Sequence, residues 1–283
     1  MPTPANAEQI ADWNGAQGLR WAELQKHTDD IVLPFGEAAL KLAAPQAGER
    51  VIDVGCGCGD TSFELARHVG ETGRVLGVDV SAPMLEVARA RAVPAGSAAL
   101  EFRQADASEA PLPERNDLLF SRFGVMFFDQ AAPALRHLRG SMRPGGRFVF
   151  VCWRAPRDND WAMAPLAAAR RATGLTPAPA DPNAPGPFAF ADEQRLRGIL
   201  ADAGFERIEV QRFDAPVILG PSPRSAAENA LRIGPTSRFA RDLGVDARSA
   251  ITDAIEIALA ASAAADGRVR LNGSTWIVAA LNP

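Results

Sequence analysis

Tyrosine is absent from the chain, so no phenol is available as an acid, a base or a nucleophile. Histidine is scarce: His27, His68 and His137 are the three present. Three cysteines (Cys56, Cys58 and Cys152) are too few to frame a disulfide-stapled fold in a chain of 283 residues. Cys56-Gly-Cys58 also lacks a second ligand pair at zinc spacing, so no metal site is expected. Long apolar runs are missing too. The most apolar stretches are short or carry charge, as in Ile251-Thr-Asp253-Ala-Ile-Glu256, and predict no membrane insertion. MPTPANAEQI lacks the basic start and apolar run of a signal peptide, which makes the cytoplasm the expected location. An excess of positive charge is also lacking. The net charge of -4 argues against reliance on neutralising nucleic-acid phosphates, so no nucleic-acid partner is expected.

A chain of 283 residues can form one large domain or a core plus a modest cap, and its hydrophobic fraction of 47% and charged fraction of 23% are close to globular norms. The basic residues are nearly all arginine, with Lys26 and Lys41 the exceptions, and alanine is abundant. That bias suggests a GC-rich bacterial coding sequence.

Between Glu49 and Trp153 short β-branched runs alternate with helical patterns, the rhythm of βαβ units and a parallel sheet. Val51–Val54 reads as a first strand and Arg74–Val80 as a second. Leu100–Phe102 and Leu118–Phe120 follow, and Pro144-Gly-Gly146 reads as the turn into a fifth, Phe148–Trp153. Thr61 and Glu64 have capping-box spacing for the helix after the first strand, which Gly70 would stop. Ser81 reads as the N-cap of the next helix, and another helix starts near Asp192. Strands at Ile208–Phe213 and Trp276–Leu281 complete the sheet.

The expected organisation is therefore an N-terminal helical cap (1–44), a core (45–153) and a cap insertion (154–190). The core continues over 191–220, one or two helices are inserted over 221–267, and a final strand lies in 268–283. Insertions after the strands of an open α/β sheet tend to sit above the ligand crevice.

The chemistry is concentrated at three successive strand ends. Gly55, Gly57 and Gly59, in Val51-Ile-Asp-Val-Gly-Cys-Gly-Cys-Gly59, leave no Cβ between backbone and ligand. The helix beyond them offers unpaired N–H groups to an anion. Asp79, ending the second strand, suits both hydroxyls of a ribose, a placement that also serves NAD. Asp106, after the third strand, suits an adenine amino group.

With these motifs in hand, the stretch from about Glu49 to Trp153 resembles the class I S-adenosylmethionine (AdoMet)-dependent methyltransferases, particularly their UbiE-like, small-molecule branch. The resemblance rests on Asp53-Val-Gly-Cys-Gly-Cys-Gly59, Val78-Asp79-Val-Ser81 with Met84-Leu85, Asp106-Ala107 and Arg143-Pro-Gly-Gly-Arg147. It implies a Rossmann-like α/β core, a seven-stranded mostly parallel sheet with helices on both faces, under a helical cap. It also implies AdoMet as cofactor and S-adenosylhomocysteine as product. By the same resemblance Asp53 and Gly55, Cys56, Gly57 and Gly59 hold the methionine end, and Asp79 holds the ribose. Asp106 and Ala107 meet the adenine, Val80 and Met84 pack beside it, and Ser121 and Arg122, with Phe123, border the transferable methyl. Ser121-Arg-Phe-Gly124 stands where enzymes acting on nucleic-acid bases carry Asn/Asp-Pro-Pro-aromatic, which further disfavours a DNA or RNA substrate.

Methyl transfer from a sulfonium needs alignment and dryness more than a conspicuous catalytic group, and no catalytic residue is assigned. His27 is the first base to test, although a half-exposed structural histidine is the commoner case. Trp13, Trp21, Trp153, Trp161, Phe188 and Phe190 either line a pocket for an apolar acceptor or form the core of the cap. Two other readings stand beside this one: a non-catalytic AdoMet-binding protein and an NAD(P)-dependent oxidoreductase. The latter wants a glycine where Asp60 stands. Oligomeric state and acceptor atom are not legible.

Overall fold

A computed structural model describes residues 6–176 and 181–283. Residues 1–5 of the expected N-terminal cap and 177–180 of the expected cap insertion lie outside it. One sheet carries β1 (Arg50–Val54), β2 (Arg74–Asp79), β3 (Ala99–Gln104), β4 (Asn116–Arg122), β5 (Met142–Trp153), β6 (Glu206–Gly220) and β7 (Val269–Leu281). Their spatial order is β3-β2-β1-β4-β5-β7-β6. β1 to β5 pair in parallel, and β7 runs antiparallel to both β5 and β6. This is the expected mostly parallel, seven-stranded sheet.

The central strands read as unbroken apolar runs because both their faces are covered. Val51, Ile52, Asp53 and Val54 are all buried, as are Phe148 to Trp153. β1 leads through α4 (Asp60–Val69) to β2, and β2 through α5 (Ala82–Ala90) to β3. The chain then returns to β4, beside β1, and continues through α6 (Ala131–Gly140) to β5. Right-handed crossovers therefore put α4 and α5 on one face and α6 on the other. The reversal between β1 and β4 opens a crevice at the strand ends, where ligands of such sheets bind.

The N-terminal segment folds as α1 (Ala7–Asn14), α2 (Ala16–Glu23) and α3 (Gln25–Ala43). The last of these is part of the core: Phe35, Ala39 and Ala43 are fully buried against the sheet. Residues after β5 form α7 (Asp160–Thr173), and α8 (Glu193–Asp202) precedes β6. α8 starts where expected, and Asp192 caps it, its carboxylate accepting from the Arg195 N–H at 2.7 Å. Between β6 and β7 lie three helices rather than one or two: α9 (Pro223–Ala230), α10 (Gly234–Phe239) and α11 (Val245–Leu259).

Several local expectations are corrected. No capping box forms at α4; Gly59, in the left-handed region, is its N-cap, and Glu64 pairs with Arg67 instead. Ser81 stands at the N-cap of α5 but its hydroxyl donates to the Trp13 carbonyl at 2.7 Å. The cap is supplied from α1, where Asn14 Oδ1 accepts from the Ala82 N–H at 3.0 Å. Pro144-Gly-Gly146 is not a turn ahead of the fifth strand, which already starts at Met142. It forms an irregularity within β5, where the register on β4 jumps from Asn116↔Met142 to Leu118↔Arg147. β6 and β7 run well past their expected limits because they pair with each other from Glu206↔Leu281 to Gly220↔Val269.

Candidate active site

A cavity of about 1140 Å³ opens at the carboxyl ends of β1 to β5. It exceeds the roughly 300–1,000 Å³ of a site for one drug-sized ligand, so it has room for two molecules. The sheet order lays its parts out in sequence. Asp106 and Ala107 follow β3, Asp79 and Val80 end β2, and Gly55, Cys56 and Gly57 follow β1. Arg122 and Phe123 end β4, and Trp153 ends β5.

The turn after β1 is built for close approach. Gly55, Gly57 and Gly59 have φ of 70°, 54° and 85°, where other residues are strained. A Cβ on Gly57 would lie 2.7 Å from Met84 Cε, and one on Gly55 would lie 2.7 Å from Gly124 Cα. Beyond the turn no side chain caps α4, so its first N–H groups are available to an anion. The Asp79 carboxylate accepts from Gly57 N–H at 2.7 Å and Ser81 N–H at 2.8 Å, leaving acceptor capacity for a ligand. Burial raises its pKa above the ordinary aspartate value, and those backbone donors oppose the rise.

Asp53, Gly59 and Ser121 do not line the cavity; they brace the residues that do. Asp53 is fully buried, and its Oδ2 accepts from Thr61 at 2.7 Å and Ser62 at 2.6 Å. Its Oδ1 has no partner among the described residues, and burial lifts the pKa from 3.8 to about 6. A Cβ on Gly59 would meet Phe102 at 2.7 Å. Ser121 donates to the Val54 carbonyl at 2.7 Å and accepts from Gly124 N–H at 3.2 Å, tying the ends of β1 and β4. Cys56 and Cys58 line the wall as protonated thiols: burial pushes Cys56 well up and Cys58 to about 12.

His27 does not line the cavity. Its Nε2 is buried without a partner among the described residues, and burial lowers its pKa, which fits a structural histidine. The carboxylate that sequence reasoning missed is Asp29 on α3, which does line it. Asp29 Oδ1 lies 2.6 Å from Arg122 Nη2, and Arg122 Nη1 lies 3.1 Å from Asp60 Oδ2. Burial raises the Asp29 pKa and Arg122 opposes the rise. Of the six cap aromatics, Trp13, Trp21, Trp153, Trp161 and Phe188 line the cavity, whereas Phe190 is buried against Phe150. Asn6 and Asn14, also unsuspected, fasten α1 over the ends of β3 and β2.

A glycine cradle, an uncapped helix start, and carboxylates at two successive strand ends fit an adenosyl amino acid. On this fold, they are the features of a class I methyltransferase. The comparisons agree. A methyltransferase-domain family matches residues 51–146. The ubiquinone/menaquinone biosynthesis C-methyltransferase UbiE of Azotobacter vinelandii is 30% identical over 193 residues, 63% of this chain and 74% of the relative. The aklanonic acid methyltransferase DauC of a Streptomyces species is 35% identical over 123 residues, 43% of this chain and 56% of that protein. Among solved structures, Bacillus YcgJ superposes with a TM-score of 0.56 at 18% identity, covering 87% of this chain and 97% of its own. The chain belongs to the UbiE-like class I AdoMet-dependent methyltransferases. It is an AdoMet-using enzyme of small-molecule type, which sets aside the oxidoreductase and non-catalytic readings. Among the described residues no helix is long and apolar enough to cross a membrane.

Proposed function

We propose that this enzyme methylates a small apolar or aromatic acceptor by in-line displacement, releasing S-adenosylhomocysteine. The carrying observation is the cavity itself, continuous from the glycine turn to an aromatic chamber and too large for the cofactor alone. Bound AdoMet supplies a methyl group on a sulfonium already activated toward a nucleophile.

The chain's own residues position and desolvate. The backbone of Gly55 to Gly57 and the start of α4 receive the methionine carboxylate, with Asp53 holding Thr61 and Ser62 beneath. Asp79 accepts from the ribose hydroxyls, Asp106 and Ala107 meet the adenine, and Val80 and Met84 pack beside it. Arg122 and Phe123 border the acceptor, and α1, α2 and α7 close the chamber against water. Where the nucleophile must shed a proton, Asp29 is the carboxylate beside Arg122 that takes it, since no histidine lines the cavity among the described residues. The family relatives named for quinone biosynthesis and for aklanonic acid support an acceptor of this size and character.

The test is a calorimetric titration with AdoMet, S-adenosylhomocysteine and NADH, beside Asp79→Ala. Micromolar binding of both adenosyl-sulfur ligands is expected. The substitution should weaken it about 10- to 150-fold, the loss of charge-assisted bonds of roughly 1.5–3 kcal/mol. Binding of NADH alone would overturn the assignment of the pocket.

A further inference from the structure

The chain carries a net charge of -4, yet the far wall of its cavity is basic. The carboxylates that line the cavity among the described residues are Asp29, Asp79 and Asp106. Asp79 ends β2, Asp106 lies just after β3, and Asp29 is already paired with Arg122. On the other side, Arg170 on α7, Arg238 on α10 and Arg241 just beyond it all face the cavity with no carboxylate beside them in the lining. None of the three has a side-chain hydrogen bond or ion pair among the described residues, and Arg170 Nε is buried without a partner. Arg232, by contrast, is paired with Glu23 at 2.8 Å.

These guanidinium groups adjoin the aromatic part of the chamber. α10 packs on α7, with Gly234 at its start set against Trp161, where a Cβ would come within 3.1 Å of the indole. A Cβ on Gly186 would lie 3.9 Å from Arg238 Nη1, which places that guanidinium over the segment leading to Pro187 and Phe188. Arg238 and Arg241 are exposed, so they stand at the rim, while Arg170 is half-buried behind them. Guanidinium presents a planar fork of donors suited to oxyanions, and at a rim such pairing avoids the full cost of burying charge.

We propose that the acceptor is an organic oxyanion on an aromatic-sized apolar body. Arg170, Arg238 and Arg241 hold its acid group at the rim, and the body lies against Trp161 and Phe188. The acid group is an anchor and not the methylated atom, because an oxygen clamped by guanidinium is a poorer nucleophile. This inference rests on the methyltransferase reading of the same cavity.

A matched pair of probes isolates the charge: 8-anilinonaphthalene-1-sulfonate and N-phenyl-1-naphthylamine share their rings and differ by the sulfonate. Both are titrated by fluorescence into the full chain saturated with S-adenosylhomocysteine, whose own binding is measured first. The sulfonate is expected to bind at least about tenfold more tightly than the amine. Arg238→Met with Arg241→Met, at exposed positions that folding tolerates, should bring the sulfonate close to the amine's affinity. Arg170→Met should do the same, and S-adenosylhomocysteine binding should not change in any variant. Equal binding of the two probes, no binding of the sulfonate, or sulfonate binding that survives both sets of substitutions would overturn the proposal. If S-adenosylhomocysteine itself fails to bind the unaltered chain, the reading of the cofactor site fails instead.

Discussion

Asn6 donates its side-chain amide to both carboxylate oxygens of Asp106, at 3.2 and 3.0 Å, and so fastens the start of the chain to the end of β3. The same amide reaches Ser108 Oγ at 2.9 Å, and Asn6 Oδ1 accepts from Asp129 N–H. Eight residues further on, Asn14 bonds the Val80 carbonyl at 2.9 Å and caps α5. Two asparagines therefore seat α1 over the strand ends assigned to the adenosine.

Asn6→Ala is expected to lower the unfolding free energy by about 1–3 kcal/mol, because the bonds it removes lie within the folded protein, and to weaken AdoMet binding as α1 loosens from the loop after β3. α3 and the sheet hold the fold without it. Removing residues up to Glu23 should cost methyl transfer far more than stability, since α1 and α2 supply Ile10, Trp13 and Trp21 to the wall. Calorimetry beside thermal melting separates the two effects. A truncated chain with full activity would show that α1 and α2 are no part of the site.

The glycine turn and the carboxylates at the ends of β2 and β3 were legible because each is a local motif at a strand end. The βαβ rhythm gave a parallel sheet, whereas the order of its strands depends on where the chain crosses back beside β1, which no local pattern carries. Asn6, Asn14, Asp29 and the arginines of α7 and α10 were not legible, since their meaning comes from contacts across sixty or more residues. Ser81 shows the same limit from the other side. Its local pattern reads as a cap, but the neighbouring α1 competes for its hydroxyl and wins.

Gly55→Ala and Gly57→Ala should part company. A Cβ at Gly55 meets backbone, Gly124 Cα at 2.7 Å, which cannot move without opening the end of β4. Loss of roughly 3 kcal/mol or more is expected, enough to leave little folded protein. At Gly57 the obstacle is the flexible end of Met84, and the left-handed backbone adds only about 1–2 kcal/mol. Gly57→Ala should therefore fold, and its AdoMet affinity should fall by at least about tenfold because the methyl enters the cradle. Chemical denaturation and titration give both numbers.

Asp53 predicts a pH dependence of stability. Folding lifts its pKa from 3.8 to about 6 through burial, so the folded state favours the protonated acid. Its contribution is present below pH 3.8 and is lost as the pH rises through about 6, a change on the order of 3 kcal/mol. Asp53→Asn removes that titration and keeps an acceptor for Thr61 and Ser62. The difference in unfolding free energy, variant minus parent, should grow with pH between 4 and 7 and then level off. Parallel curves would mean that Asp53 titrates normally in the folded chain.

Phe123 carries strain at the wall of the cavity. Its φ of 63° lies in the left-handed region, which costs a large side chain on the order of 1–3 kcal/mol, and its ring stacks on Trp153 with centroids 4.5 Å apart and planes 16° from parallel. The stack returns only about 0.5–1.5 kcal/mol beyond the area it buries. Phe123→Gly relieves the backbone but deletes the stack together with the area the ring buries against Phe35 and Trp153, so a modest fall in stability of about 1–3 kcal/mol is expected. Acceptor KM should rise by an order of magnitude or more, with AdoMet binding unaltered, because the ring forms the wall between β4 and β5. A large fall in stability with unchanged acceptor KM would assign Phe123 to the core; the opposite pattern shows a strained backbone retained for the wall it presents.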